Sequence, residues 1–374
     1  MKNILEIAIW HHSWDSRVFY KQAVSLSKEF NVKCLWWVFS LKKWTWFENW
    51  INNIENIWLT WNRLLILFKA IIYWLKNKSD IYVAHDIDSY IVVVFVKLFR
   101  WNSKIVFDSH EYYDEMYKIK NYSLLEKFVF FSFSKILKNL TIKLFSWINV
   151  VTEDMKNYYN IKTKEVLYNF PLSKQLSKIE VDEKLKNKYK DDFILIFQWW
   201  VTKQRWILEY LKIINEVKND ITNVKLLILW PINNKDFEKE IYEYINKYNL
   251  DSYVEILWKL PLFDVYKYTK IANIWLNFLQ SSFNNDNGIQ IKIFEYLYLD
   301  TPILWTNNNH NFINFIVNNN CWLAVEYWNL EDEKKWVLEI YNNYDLYLSA
   351  CKKNKDKFIW ENEDKKLLKF YKKI

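Results

Sequence analysis

Short apolar runs alternate with helix-length segments almost from end to end of this chain, and few folds accept that order. Strand-like stretches fall near residues 4–9, 32–39, 81–84, 104–107, 148–151 and 165–168, and helices fit 17–29, 64–76, 88–100, 123–146 and 154–160 between them. Such alternation predicts a parallel sheet with helices on both faces. It is interrupted by "PLSKQLSKIEVDEKLKNKYKDD" (171–192), which opens with proline and is largely polar, so a linker is expected there. A second series follows, with strands near 193–197, 224–229, 253–257, 273–277, 302–305 and 322–325. The expectation is an α/β chain of two doubly wound, Rossmann-like domains, 1–170 and 171–360, with a helix over 361–374 packing back on the first. Such sheets bind ligands outside the carboxyl ends of their strands, so a cleft facing those ends is the expected site.

The 374 residues are 51% hydrophobic and 26% charged, enough for packed cores. The formal charge is +8, and only four of the 52 basic residues are arginines: Arg17, Arg63, Arg100 and Arg205. That balance favours acidic partners such as nucleotide phosphates or an anionic membrane surface. No nucleic-acid partner is expected. Cys34, Cys321 and Cys351 are far apart and form no C-x-x-C pair, which suits a reducing compartment. No metal site is expected. The opening "MKNILEIAIW" is too short for a signal peptide and reads as a strand. The apolar stretches 64–75 and 90–99 fall short of the ~20 residues of a spanning helix, so a cytoplasmic protein is expected. Peripheral contact with the inner face of the membrane is expected through 124–147, where a broad apolar face joins Lys127, Lys135, Lys138 and Lys143. A core helix is the competing reading of that segment.

The chain holds 23 Trp and 1 Gly, whereas glycine ordinarily makes up ~7% of a protein. Trp10 and Trp14 bracket the first strand-to-helix loop, Trp199 and Trp200 follow "FILIF", and Trp230 precedes Pro231 after "VKLLIL". These are places where glycine supplies positive φ and close backbone approach. Trp322 and Trp328 in "CWLAVEYWNLEDEKK" fit the same pattern. A gene whose UGA codons mean glycine, rendered with UGA as tryptophan, would produce this distribution. The competing reading is a tryptophan-rich protein that builds its turns from Asn and Asp.

Several segments carry candidate chemistry. After Trp10 and Trp14, Asp15, Ser16 and Arg17 open an amphipathic helix whose N-terminus would suit an anion, although any such loop with an N-capping Asp looks similar. "AHDIDSY" (84–90) and "IVFDSHEYYDEM" (105–116) bring His85, Asp86, Asp88, Asp108, His110 and Glu111 to strand ends, where polar residues tend to serve a site. Helix capping by Asp88 and Asp108 is the alternative. "FQWWVTKQRWILEYL" (197–211) reads as strand, Trp199-Trp200, then Lys203 and Arg205 before a helix. With glycine at the tryptophans this is a phosphate site in outline, with Arg205 as the fork for two oxygens. "NNDNGIQIKIFEYLYLDTPILW" (284–305) contains the sole Gly288, and a helix is expected from near Ile289. Its N–H groups could cradle a diphosphate, and Glu295 could accept from a ribose diol or pair with Lys292.

These segments, with "DSRVFYKQAVSLSKEF", "INVVTEDM", "VLYNFP", "LLILWP", "YTKIANIWLNF" and "NNNCWLAVEYWNLEDE", resemble the retaining glycosyltransferases of family 4 in the family's own order, over nearly the whole chain. The resemblance implies a GT-B fold and transfer of a sugar from a nucleotide-diphosphate donor to a glycan or lipid-linked acceptor, with retention and without a metal or other cofactor. It implies that Glu295 binds the donor ribose and that Arg205, with Lys203, neutralises the diphosphate. Amides from Asn287 to Ile289 would assist, and His110 would lie beside the transferring sugar. Trp10, Trp14, Asp15, Arg17, His85, Asp86 and Glu111 would belong to the acceptor-side loops. The family's first glutamate falls on Asn287, which leaves the hold on the donor sugar open. A sugar-nucleotide 2-epimerase and a non-catalytic nucleotide-sugar-binding protein are the alternatives.

Overall fold

The computed structural model describes residues 1–8, 15–37, 54–59, 63–85, 88–119, 123–159, 161–198, 207–229, 232, 234–257, 260–279, 281–306, 309, 322–325 and 329–374. Within them the chain divides into two units, Met1–Asn169 with Trp360–Ile374, and Phe170–Ile359.

The first unit is built on seven strands, β1 (Asn3–Ala8), β2 (Asn31–Trp37), β3 (Ile54–Leu59), β4 (Ile81–Ala84), β5 (Lys104–Ser109), β6 (Trp147–Val150) and β7 (Lys164–Val166). They lie in the order β3-β2-β1-β4-β5-β6-β7, and every pairing is parallel. Ile4 to Ala8 are all buried, as are Ile81 to Ala84; this is the uninterrupted burial of a sheet covered on both faces. Helix α1 begins with wide π turns over Ser16–Ala23 and closes as an α-turn over Val24–Leu26. There follow α2 (Arg63–Lys76), α3 (Asp88–Phe99), α4 (Tyr113–Ile119), α5 (Leu124–Thr141) and α6 (Glu153–Tyr158). A reciprocal capping box between Ser123 and Glu126 starts α5. The C-terminal helix, Trp360–Lys373, packs on α1. Its Trp360 indole donates to Ser25 Oγ at 3.0 Å, and Glu363 accepts from the Tyr168 amide at 3.1 Å.

The second unit carries β8 (Phe193–Phe197), β9 (Val224–Leu229), β10 (Val254–Leu257), β11 (Ile274–Asn277), β12 (Ile303–Thr306) and β13 (Trp322–Val325), ordered β10-β9-β8-β11-β12-β13 and again all parallel. Its helices are α7 (Ser173–Leu176), α8 (Glu183–Lys188), α9 (Ile207–Val217), α10 (Lys235–Lys247), α11 (Leu262–Ile271), α12 (Phe283–Asn287), α13 (Ile291–Tyr298), α14 (Leu330–Asn342) and α15 (Tyr344–Asn354). The wholly apolar β8, FILIF, is buried along its length, and α9 buries Ile207, Tyr210, Leu211, Ile213, Ile214 and Val217 against the sheet.

Two expectations change. Strand β3 was not anticipated, and it closes the edge of the first sheet beside β2. The stretch 171–192, expected as a linker at the start of the second domain, instead holds α7 and α8, within the second unit as the expected boundary at 171 has it. Leu176, Ile179 and Leu185 anchor it while its lysines and glutamates face solvent. Outside the loops singled out above, Trp74, Trp275, Trp305 and Trp360 are fully buried. Trp275 stacks on Tyr296 with ring centroids 4.1 Å apart and planes at 10°.

Candidate functional site

In each sheet the strand order reverses at one point, between β1 and β4 in the first unit and between β8 and β11 in the second. Doubly wound sheets take their ligands outside the carboxyl ends of the strands at such points. In the first unit a cluster of buried polar residues gathers there.

In the first unit the centre is Asp108, near the end of β5 and fully buried. Arg17, from the first turn of α1, grips it with two parallel bonds, Nε to Oδ2 at 2.9 Å and Nη2 to Oδ1 at 2.7 Å, and spends Nη1 on the Leu167 carbonyl at 3.2 Å. His85, just past β4, has Nδ1 3.3 Å from Asp108 Oδ2 and Nε2 3.6 Å from the Glu6 carboxylate of β1. His110 Nδ1 stands 3.6 Å from the same Asp108 oxygen, and its Nε2 is 3.5 Å from the Tyr113 hydroxyl. Tyr113 in turn donates to the His85 carbonyl.

Electrostatics orders this cluster. Burial would raise Asp108, but the Arg17 guanidinium, helped by His110 and His85, holds it well below the usual carboxylate range. Burial works against an imidazolium at His85, yet the hydrogen bonds and charges of Asp108 and Glu6 push it up to about 9. Burial raises Glu6, with His85 pulling the other way. The product is a fixed row of alternating charge beneath His110, whose side chain is 14% exposed. The His110 ring thus has Asp108 beside Nδ1 and the Tyr113 hydroxyl beside Nε2.

The acceptor-side expectations divide accordingly. Arg17 is 3% exposed and belongs to the Asp108 pair, not to an open loop. Asp15 caps α1 itself, accepting from the Arg17 and Val18 amides at 2.8 and 2.9 Å, so this N-terminus already has its anion. His85 is fully buried, and the backbone carbonyl of the exposed Glu111 accepts from Ser109 Oγ at 3.2 Å. Trp10, Trp14 and Asp86 lie outside the described residues.

In the second unit β8 and β11 are paired neighbours. The chain leaves β8 through the buried Gln198 into the stretch holding Trp199, Trp200, Lys203 and Arg205, which lie outside the described residues. It leaves β11 through Asn277 into 281–290. Ser282 caps the short α12, and Asn309 donates from its amide to the carbonyls of Asn285 at 2.7 Å and Gly288 at 2.5 Å, clamping the segment. Gly288 has an ordinary φ of −92°. What requires glycine is contact, because a Cβ would sit 2.6 Å from the Asn284 carbonyl oxygen.

The expected helix near Ile289 begins instead at Ile291, with Gln290 as its N-cap. The Gly288 amide donates to Asn284 at 2.8 Å, which removes it from the proposed diphosphate cradle of Asn287, Gly288 and Ile289. Glu295 lies one turn into α13 and is half-buried. Its partner is Tyr266 of α11, whose phenol is raised by burial and by the hydrogen bond and charge of Glu295. Sequence reasoning missed Glu6, Asp108 as an anchor, Tyr113, Tyr266 and Asn309. Of these, Asp108 carried the one usable signal, a carboxylate at a strand end two residues before a histidine.

No protein-family model matches the chain. A curated relative, an uncharacterized glycosyltransferase of Methanocaldococcus jannaschii, is 26% identical over 61% of this chain and 56% of its own length; the chain thus spans little more than half of that relative. Among solved structures, Anabaena HepE in complex with UDP and glucose aligns over all of both chains with a TM-score of 0.74 at 10% identity. A glycosyltransferase from Rickettsia africae covers 100% of this chain and 98% of its own, with a TM-score of 0.73 at 16% identity. Sucrose-phosphate synthase of Thermosynechococcus elongatus aligns over 100% and 99%, with a TM-score of 0.75 at 12% identity. At these identities the likeness is one of fold: the chain has the GT-B fold, with two doubly wound parallel-sheet domains.

Proposed function

We propose that this chain is a glycosyltransferase that moves a sugar from a nucleoside diphosphate donor to a glycan or lipid-linked acceptor, with retention of configuration and no metal. The observation that carries the reading is that the segments holding Arg205 and Glu295 start from the carboxyl ends of β8 and β11, the adjacent strands that flank the reversal of the second sheet. The glycosyltransferase name of the curated relative and the UDP and glucose of the HepE complex support the same reaction class.

In this reading Glu295, oriented by Tyr266, accepts from the ribose diol. Arg205, with Lys203, meets the diphosphate. Departure of the nucleoside diphosphate builds negative charge on its oxygens and oxocarbenium character on the sugar, so a fixed cation does most of the work. His110 lies beside the sugar, with Asp108 fixing its ring. The leaving phosphate takes the acceptor proton on the same face. His110→Ala is expected to lower kcat more than it weakens donor binding, because its contact strengthens as charge develops. Steady-state kinetics together with donor titration check this; unchanged kinetics would return His110 to a structural role.

The same proposal assigns glycine to Trp10, Trp14, Trp199 and Trp200 in the natural protein, because indoles in these loops would obstruct backbone approach to a diphosphate. Peptide mass spectrometry of protein from the source cells is expected to find glycine at these positions. Tryptophan there would overturn the assignment.

A further inference from the structure

The outward face of the first unit is apolar over three adjacent helices. On α5 the exposed side chains Leu125, Val129, Phe133, Ile136 and Leu140 follow at intervals of four, four, three and four, which lays them in one stripe. This stripe faces solvent, whereas the buried residues of α5 are Ser134 and Thr141. Amphipathicity here is the reverse of a helix covering a core. α3 packs on both α2 and α5, and it extends the surface with Phe95, Leu98 and Phe99, the last two about 70% exposed. Phe68 of α2 is likewise 61% exposed. Contiguous apolar surface on this scale marks an interaction site.

Charge decides the occupant. The three helices carry seven Lys and Arg against two Asp and Glu. Lys135 and, just past α5, Lys143 are exposed. Glu126 is held in the capping box, and the Lys138 ammonium is matched by Asp114 at 2.8 Å. A second copy of the chain would leave the exposed Lys135 and Lys143 without counter-charge from this face, whereas anionic headgroups would meet them while the stripe entered the acyl boundary. Among the described residues no helix is long and apolar enough to cross a membrane, so the contact is one of a surface.

We propose that the α2–α3–α5 face docks the protein on an anionic lipid bilayer, independently of whether it transfers sugar. Flotation of the full chain with phosphatidylcholine vesicles, with and without about one-third phosphatidylglycerol, tests this. The protein is expected to float with the anionic vesicles, at least several-fold more than with the neutral ones, and to be released by high salt. A Leu125→Ser, Val129→Ser, Phe133→Ser variant is expected to remain at the bottom with an unchanged thermal melt, because all three side chains already face water. Protein that stays at the bottom with anionic vesicles at low salt would overturn the proposal whatever the variant does. So would flotation that the triple variant retains, or a dimer that the triple variant dissociates and that does not float.

Discussion

Asp108→Asn is expected to remove about 3–5 kcal/mol from the stability of the first unit, since it leaves the buried Arg17 guanidinium without its carboxylate. The neutral amide can accept only part of the bidentate grip, and Arg17 is only 3% exposed. Adding Arg17→Met to Asp108→Asn is expected to cost less than the sum of the two single changes, because the stranded charge is then gone. Urea unfolding of the wild type, both single variants and the double variant measures this. Additive losses would contradict a coupled pair. A second readout is pH. His85 is raised in the folded chain, so its contribution is complete below its ordinary value of 6.5 and is lost as pH rises through about 9. Removing one of its two carboxylate neighbours lowers that value, and the alkaline loss is expected to move to lower pH in Asp108→Asn.

Arg205→Ala is expected to cut kcat by roughly 10²–10³, or about 3 to 4 kcal/mol at the transition state, the scale of removing one preorganised donor from developing charge. In the proposed metal-free transfer Arg205 brings the planar fork to the diphosphate, whereas Lys203 offers only a point charge. Glu295→Ala is expected to weaken donor binding more than the chemical step, since a ribose contact is made in ground and transition states alike. Folding should survive both substitutions. Single-turnover kinetics with a saturating donor separates the two effects. Near-normal turnover by Arg205→Ala would remove it from the site.

The strands were legible wherever an apolar run was buried on both faces, as in FILIF of β8 or IYVA of β4, because such runs leave no other arrangement for their side chains. β3 was not legible: in IENIWL the consecutive polar residues Glu55 and Asn56 break both a continuous apolar run and a period-two alternation, and the strand follows an Asn-rich stretch that reads as loop. The helices of 171–192 were missed because charge was read as a linker, whereas Leu176, Ile179 and Leu185 are buried and anchor the stretch at the start of the second unit, where the expected second domain already began. The candidate site was legible one residue at a time. His110 and Glu295 could be singled out, but not the groups that hold them. Asp108 meets Arg17 from 91 residues away, and Tyr266 reaches Glu295 from another helix. Pairings of that kind exist only once the chain has folded. The stripe on α5 had the same limit, because its periodicity is equal for a face turned inward or outward.

The central claim, sugar transfer from a nucleoside diphosphate donor, is tested most directly by one measurement. Protein carrying Trp10→Gly, Trp14→Gly, Trp199→Gly and Trp200→Gly is incubated with a panel of nucleoside diphosphate sugars and scored for free nucleoside diphosphate, with Arg205→Ala in that background as the control. The predicted result is nucleotide release from at least one donor, abolished or strongly reduced by Arg205→Ala. Binding without any release, conversion of the donor to an epimer with its nucleotide still attached, or release unaffected by Arg205→Ala would contradict the account.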